Sequence, residues 1–279
     1  MPMFSSVLKG PRKESAEGKP TVGSPLLKVP EKKRERLRGK IIGGREARPH
    51  SRPYMAFLDG QRGEKKYMCG GSLVHEHFVL TAAHCSGDQI TVLLGAHNIH
   101  KKEESWQEIK VHRQIPHPKY KKKTREKDIM LLQLEHKANL SEQVGIIRLP
   151  QPGEAVKPGS VCGVAGWGQT NVIFGDSSNV LLEIDLQVLG DTICEDHYSC
   201  YYDPRTMLCV GDFKGNKSSF QGDSGGPLVC DRVVQGIISW GPNNAAPPEV
   251  YTKVSRFIVW IKNELAKLKK PLDIPGFFS

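Results

Sequence analysis

The segment Gly222-Asp223-Ser224-Gly225-Gly226-Pro227-Leu228 constrains this 279-residue chain more than any other. A serine preceded by an acid and flanked by glycines sits on a tight turn. Such a turn can aim both a nucleophile and bare amide N–H groups at a substrate. Alone, Gly-Asp-Ser-Gly is ordinary turn chemistry, so its meaning depends on the rest of the chain. Two further motifs precede it, Leu80-Thr81-Ala82-Ala83-His84-Cys85 and Lys127-Asp128-Ile129-Met130-Leu131-Leu132. A serine hydroxyl is a weak nucleophile at neutral pH and needs a base within hydrogen-bond reach. Histidine suits that task, and it needs in turn a buried acid to hold its tautomer and stabilise the imidazolium. His84, Asp128 and Ser224 are therefore the expected catalytic residues.

The surrounding pattern is all-β. Phe78-Val79-Leu80, Ile90-Thr91-Val92-Leu93-Leu94 and Val233-Val234-Gln235-Gly236-Ile237-Ile238 are short apolar runs separated by Gly, Pro and polar turns. One late segment differs. Ile258, Ile261, Leu265 and Leu268 recur at helical spacing, with Phe257 and Trp260 beside them, which predicts an amphipathic helix over residues 255–269 closed by Pro271. No internal repeat and no run long enough to span a membrane is present.

The net charge of +10 is uneven. Residues 1–40 hold eleven Lys/Arg and four Glu, leaving only +3 for the remainder. The excess lies in an aromatic-poor leader with the composition of a disordered segment, so the charge does not point to specific nucleic-acid binding. Lysine clusters remain at Lys101-Lys102 and Lys121-Lys122-Lys123, either as solvated loop charges or as a polyanion site. His75-Glu76-His77 reads as loop histidines rather than as a metal site, and neither a metal nor a cofactor is expected.

From Ile41 to about Leu268 the chain resembles the trypsin/chymotrypsin family of serine proteases. Ile41-Ile42-Gly43-Gly44, Pro49-His50-Ser51-Arg52-Pro53-Tyr54-Met55-Ala56 and Asp128-Ile129-Met130-Leu131-Leu132-Gln133-Leu134 are similar to the granule proteases of immune cells: cathepsin G, the granzymes and mast-cell chymase, with cathepsin G nearest. The resemblance implies two packed six-stranded antiparallel β-barrels with a C-terminal α-helix. It divides the chain into a leader or prosegment, 1–40, and a protease domain, 41–279, with lobes roughly 41–150 and 151–254 and the helix at 255–269. It implies disulfides Cys69–Cys85, Cys162–Cys230 and Cys194–Cys209, leaving Cys200 free. Disulfides call for an oxidising compartment, so a secreted or granule protein is expected. Met1–Gly10 nevertheless shows no apolar signal-peptide core, a conflict read as a start or first exon that differs from the secreted form. Asn139-Leu140-Ser141 and Asn216-Lys217-Ser218 fit the glycosylation pattern.

The resemblance also implies activation by cleavage between Lys40 and Ile41. The freed Ile41 ammonium would pair with Asp223 and turn the N–H groups of Gly222 and Ser224 toward an oxyanion. Gly39-Lys40 departs from the acidic dipeptide of granule proteases and suits a trypsin-like activator. The primary pocket is expected from Ser218, Ser219, Phe220 and Gln221 on one side and Ser239, Trp240 and Gly241 on the other. Trypsin-like members carry an acid where Ser218 stands, and most members carry cysteine at Phe220. Glu249 stands where chymase has a small residue, granzyme B an arginine and cathepsin G a glutamate. Mixed cleavage after Phe/Tyr/Leu and after Lys/Arg is therefore expected. The alternatives are a purely chymotrypsin-like pocket with Glu249 turned to solvent, and a non-catalytic cationic effector on the same fold. Expected partners are protein or peptide substrates, an activating protease, serpin-type inhibitors and a sulfated proteoglycan or heparin, with the chain a monomer.

Overall fold

The computed structural model describes residues 43–170, 175–212 and 217–269. The first barrel contains β2 (Met55–Arg62), β3 (Lys65–His75), β4 (Phe78–Thr81), β5 (Gln89–Leu94), β6 (Gln107–Pro116) and β7 (Met130–Leu134). They close in the order β2-β3-β4-β7-β6-β5, with β2 pairing to β5. The second contains β8 (Val161–Gly166), β9 (Leu182–Val188), β10 (Met207–Gly211), β11 (Pro227–Cys230), β12 (Val233–Trp240) and β13 (Glu249–Lys253). Its order is β9-β10-β13-β12-β11-β8, and a β8–β9 ladder closes it. Every strand pair is antiparallel, and closure leaves each barrel with side chains alternating between the interior and the surface. A short first strand, β1 (Arg45–Glu46), pairs with β9 of the second barrel, where Arg45 reaches Glu183 at 3.0 Å.

Leu58, Leu73, Leu80, Val92, Leu94 and Leu131 fill the first barrel. Val164, Ile184, Leu186, Leu208, Leu228 and Tyr251 fill the second. Disulfides Cys69–Cys85, Cys162–Cys230 and Cys194–Cys209 are all formed, and Cys200 is free and exposed. One helix, α1 (Asp191–Tyr198), lies between β9 and β10 and carries Cys194. No helix among the described residues is long and apolar enough to cross a membrane.

The C-terminal helical segment begins as a 3₁₀ turn at Val254–Phe257, continues as α2 (Ile258–Ala266) and ends as a 3₁₀ turn at Lys267–Lys269. Phe257, Ile258 and Ile261 join the core cluster of the first barrel, although the helix follows the last strand of the second. The helix thereby straps the two barrels together. The apolar face expected at Leu268 fades, because the tighter 3₁₀ turn rotates that side chain away from the α-helical stripe and leaves it 38% exposed. Pro271 lies outside the described residues. Ile261→Ala should destabilise the fold by about 2–5 kcal/mol, the cost of a buried aliphatic deletion. Val259→Ala, on the 70% exposed face, should stay within about 0.5 kcal/mol in the same urea titration.

Candidate active site

His84 sits in a 3₁₀ turn, Ala83–Cys85, directly after β4. The turn is anchored by the Cys69–Cys85 disulfide on one side. Just upstream, the Thr81 hydroxyl donates to the Gly70 carbonyl at 2.8 Å. Asp128 lies two residues before β7, after a turn in which Arg125 and Lys127 both adopt positive φ, 56° and 54°. That turn sends Asp128 inward, where it is 0% exposed. One carboxylate oxygen accepts the His84 backbone N–H at 2.9 Å. The other accepts His84 Nδ1–H at 2.7 Å and the Ser239 hydroxyl at 2.6 Å. The Thr252 hydroxyl donates to the Asp128 carbonyl at 2.8 Å. Burial by itself pushes the carboxyl up. The His84 charge and the hydrogen bonds from His84 and Ser239 outweigh it and hold Asp128 below its ordinary value. Asp128 is thus an anion at neutral pH. With Nδ1–H committed to it, the histidine keeps Nε2 as the acceptor.

Ser224 lies on the turn before β11. Its carbonyl accepts Gly70 N–H at 2.8 Å, while Gly225 N–H donates to Ile238 at 2.9 Å, so both barrels hold the turn. Gly222 has φ +98°, and a Cβ there would come within 2.6 Å of the Met68 sulfur. Among the described residues, the N–H groups of Gly222 and Ser224 make no backbone–backbone hydrogen bond. Asp223 points the other way. It is 1% exposed and accepts Gly168 N–H at 2.8 Å and Phe220 N–H at 3.0 Å. Gly168 must be bare, because a Cβ would stand 2.5 Å from the Asp223 carboxyl carbon. Burial pushes this carboxyl up to about 7 against those two hydrogen bonds, and the charge of Glu249 adds to the rise. No described cation pairs with it. Lys40 and Ile41 lie outside the described residues.

His84 and Ser224 open onto one cavity of about 260 Å³, lined also by Ser218, Ser219, Phe220, Gln221, Ser239, Trp240, Gly241 and Glu249. All eight residues expected for the primary pocket are therefore together. Glu249 does not turn to solvent: it is 4% exposed. Its carboxylate accepts the Ser218 hydroxyl at 2.9 Å, Ser219 N–H at 3.1 Å, the Ser219 hydroxyl, and the Tyr251 hydroxyl at 3.2 Å. Burial pushes this carboxyl up, opposed by the serine and tyrosine donors.

Arg125 lines the same cavity and was not legible beforehand, being one cation in a Lys/Arg-rich run. Its Nη1 is buried without a hydrogen-bond partner and lies 3.6 Å from Asp128. It adds positive charge beside the anion that steers His84. Tyr251 was likewise missed, since its role depends on Glu249 facing inward. The lysine clusters stay on the surface. Lys121 pairs with Glu126 at 2.9 Å, while Lys101, Lys102, Lys122 and Lys123 are exposed. Asn139 is exposed and Asn216 lies outside the described residues. His75 ends β3 and His77 sits in the following turn, their rings 6.1 Å apart.

The Trypsin family model matches residues 41–261. Mast cell protease 3 of Ovis aries is 52% identical over 231 residues, covering 83% of this chain and 91% of the relative. Granzyme B of Homo sapiens is 52% identical over 229 residues, covering 82% and 92%. Cathepsin G of Mus musculus is 51% identical over 238 residues, covering 85% and 90%. A solved structure titled "Structure of GrC" superposes with a TM-score of 0.78 at 48% identity, covering 81% of this chain and 99% of its own. These relatives match the immune-granule subgroup that the sequence motifs resemble. The chain belongs to the trypsin family and is a serine protease.

Proposed function

We propose that the protein is an endopeptidase acting through an acyl-enzyme on Ser224. The observation that carries this reading is the doubly anchored His84–Asp128 pair opening onto the same cavity as Ser224. Ser224 Oγ attacks the scissile carbonyl while His84 Nε2 takes its proton. The imidazolium, stabilised by Asp128, then passes that proton to the leaving amine. Water repeats the sequence to release the acid. The amides of Gly222 and Ser224 receive the oxyanion, each donor supplying about 3 kcal/mol of transition-state stabilisation. A non-catalytic effector is the weaker reading, because the buried hydrogen bonds that steer His84 are intact.

Activation is assigned to cleavage between Lys40 and Ile41, after which the Ile41 ammonium pairs with Asp223. This is supported by a carboxylate that is buried, lacks a described cation and binds its proton up to about pH 7. Pairing would supply the missing charge and secure the turn bearing Gly222 and Ser224. For specificity, Glu249 offers a carboxylate to a lysine or arginine side chain, and Ser218 leaves room for an aromatic ring. Mixed cleavage follows, and acidic residues at the cleaved position are repelled. The purely chymotrypsin-like alternative would need Glu249's four donors to quench its charge. A secretory or granule setting is supported by the disulfides and the named relatives. The exposed lysines would meet a sulfated polyanion there, and serpin-type inhibitors would meet the cleft.

After cleavage at Lys40, a fluorophosphonate probe should label the parent, whereas Ser224→Ala and uncleaved chain should stay unlabelled. Labelling that survives Ser224→Ala would overturn the nucleophile assignment. In peptide-library profiling, Glu249→Gln should lower Lys/Arg cleavage by roughly tenfold or more while leaving Phe/Tyr/Leu cleavage within about threefold. A parent that never cleaves after Lys or Arg would end the mixed-specificity reading. Asp223 also sets a pH dependence. Its folded value is raised above the unfolded one, so the native uncleaved chain binds the extra proton, and stability falls as pH rises from about 4 toward 7. Denaturant titrations should show that fall weakened in uncleaved Asp223→Asn. Cleavage should abolish the fall between about pH 4 and 7 in the parent, because a carboxylate held ionised by a partner changes stability only below about pH 4.

A further inference from the structure

The turn that carries His84 is also gripped from outside the cleft. The carbonyls of His84, Cys85 and Ser86 are all engaged by the β2–β3 hairpin. Arg62 Nη2 donates to the His84 carbonyl at 3.2 Å and to the Ser86 carbonyl. The Tyr67 hydroxyl donates to the Cys85 carbonyl at 2.7 Å. The Arg62 guanidinium lies 5.0 Å from the centre of the Tyr67 ring, a cation–π contact that joins the two donors into one unit. The hairpin is tied to the exit of the His84 turn as well: Gly63 N–H donates to the Asp88 carboxylate at 2.6 Å, and Asp88 N–H to the Gln61 carbonyl at 2.7 Å.

The Tyr67 ring occupies a berth made by two missing side chains. A Cβ on Gly60 would stand 2.1 Å from the ring, and one on Gly87 would stand 2.3 Å from its hydroxyl. Burial pushes the phenol upward, so it remains a donor across the working pH range. Tyr67 also lines a groove of about 480 Å³ together with Phe57, Lys66, Met68, Gln169 and Gly222. Gln221 borders both this groove and the primary pocket, so the groove continues the cleft past the Ser224 turn.

We propose that Tyr67 and Arg62 are positioning residues for His84, and that Tyr67 couples occupancy of the groove by a peptide substrate to the seating of that histidine. The inference rests on His84 being the general base. A substrate that fills the groove presses on the ring whose hydroxyl holds the Cys85 carbonyl, so its effect appears in turnover rather than in binding alone.

The test uses the full chain cleaved at Lys40 and two peptides with the same residues before the scissile bond. One ends there in a small amide leaving group, and the other extends four residues beyond. For the parent, kcat should be higher on the extended peptide. Tyr67→Phe keeps the ring and removes one donor. It should lower kcat roughly five- to tenfold with KM within about twofold, and shrink the kcat advantage of the extended peptide. Arg62→Gln should lower kcat similarly, and Arg62→Lys should recover part of the loss. Melting curves and active-site titration report the folded, competent fraction. Unchanged kcat in Tyr67→Phe, or a loss matched by a fall in competent fraction, would overturn the positioning role. A kcat loss with the extended-peptide advantage intact would overturn the coupling. A parent inactive on both peptides would refute the His84 reading and the clasp with it.

Discussion

The structure turns on one buried carboxylate. Asp128 has no exposure to water, and an isolated charge there would be strongly unfavourable. It persists because donors converge from both barrels: the backbone and ring of His84 from the first, and the hydroxyl of Ser239 on β12 from the second. Thr252 on β13 fixes the carbonyl of the same residue. The acid that orients His84 is thus satisfied only when the barrels are packed together. The C-terminal helix, running from β13 into the core cluster of the first barrel, serves the same docking.

Three buried acids sit near the cleft, and their surroundings separate them. Asp128 has the His84 imidazole and the Ser239 hydroxyl beside it and is held low. Asp223 has two amide donors and no described cation and is pushed up to about 7. Glu249 has four hydroxyl or amide donors and is also pushed up. Asp223 and Glu249 raise the cost of each other's charge, so a cation brought to either relieves both. On the proposed reading those cations are the Ile41 ammonium and a basic substrate side chain. Activation and substrate preference would then share one electrostatic field.

The His84 turn is held on three sides. Asp128 takes its ring and amide, the Cys69–Cys85 disulfide ties its end to β3, and the Arg62–Tyr67 pair takes its outward carbonyls. Much of this was legible in the chain. The three motifs marked His84, Asp128 and Ser224, the short apolar runs marked strands, and the family resemblance supplied the cysteine pairing. The 3₁₀ ends of the C-terminal helix were not legible, since a spacing of three suits either periodicity over one turn. Arg125 was hidden in a run of like charges, and Arg62 and Tyr67 in an exposed hairpin whose partners lie 18 to 24 residues away.

The sequence by itself determined what depends on local chemistry: a glycine-rich turn able to present a serine, a histidine beside a bridging cysteine, and the chain order His84, Asp128, Ser224. The tertiary structure decided whatever depends on burial. Glu249 faces the pocket because β13 brings it against Ser218 and Ser219, 31 and 30 positions away in the chain. Asp223 binds its proton tightly because Gly166 and Gly168 leave a dry space of its own size. A residue type states which charge is available. Only the packing of distant segments sets how much water that charge keeps, and with it the strength of the interaction.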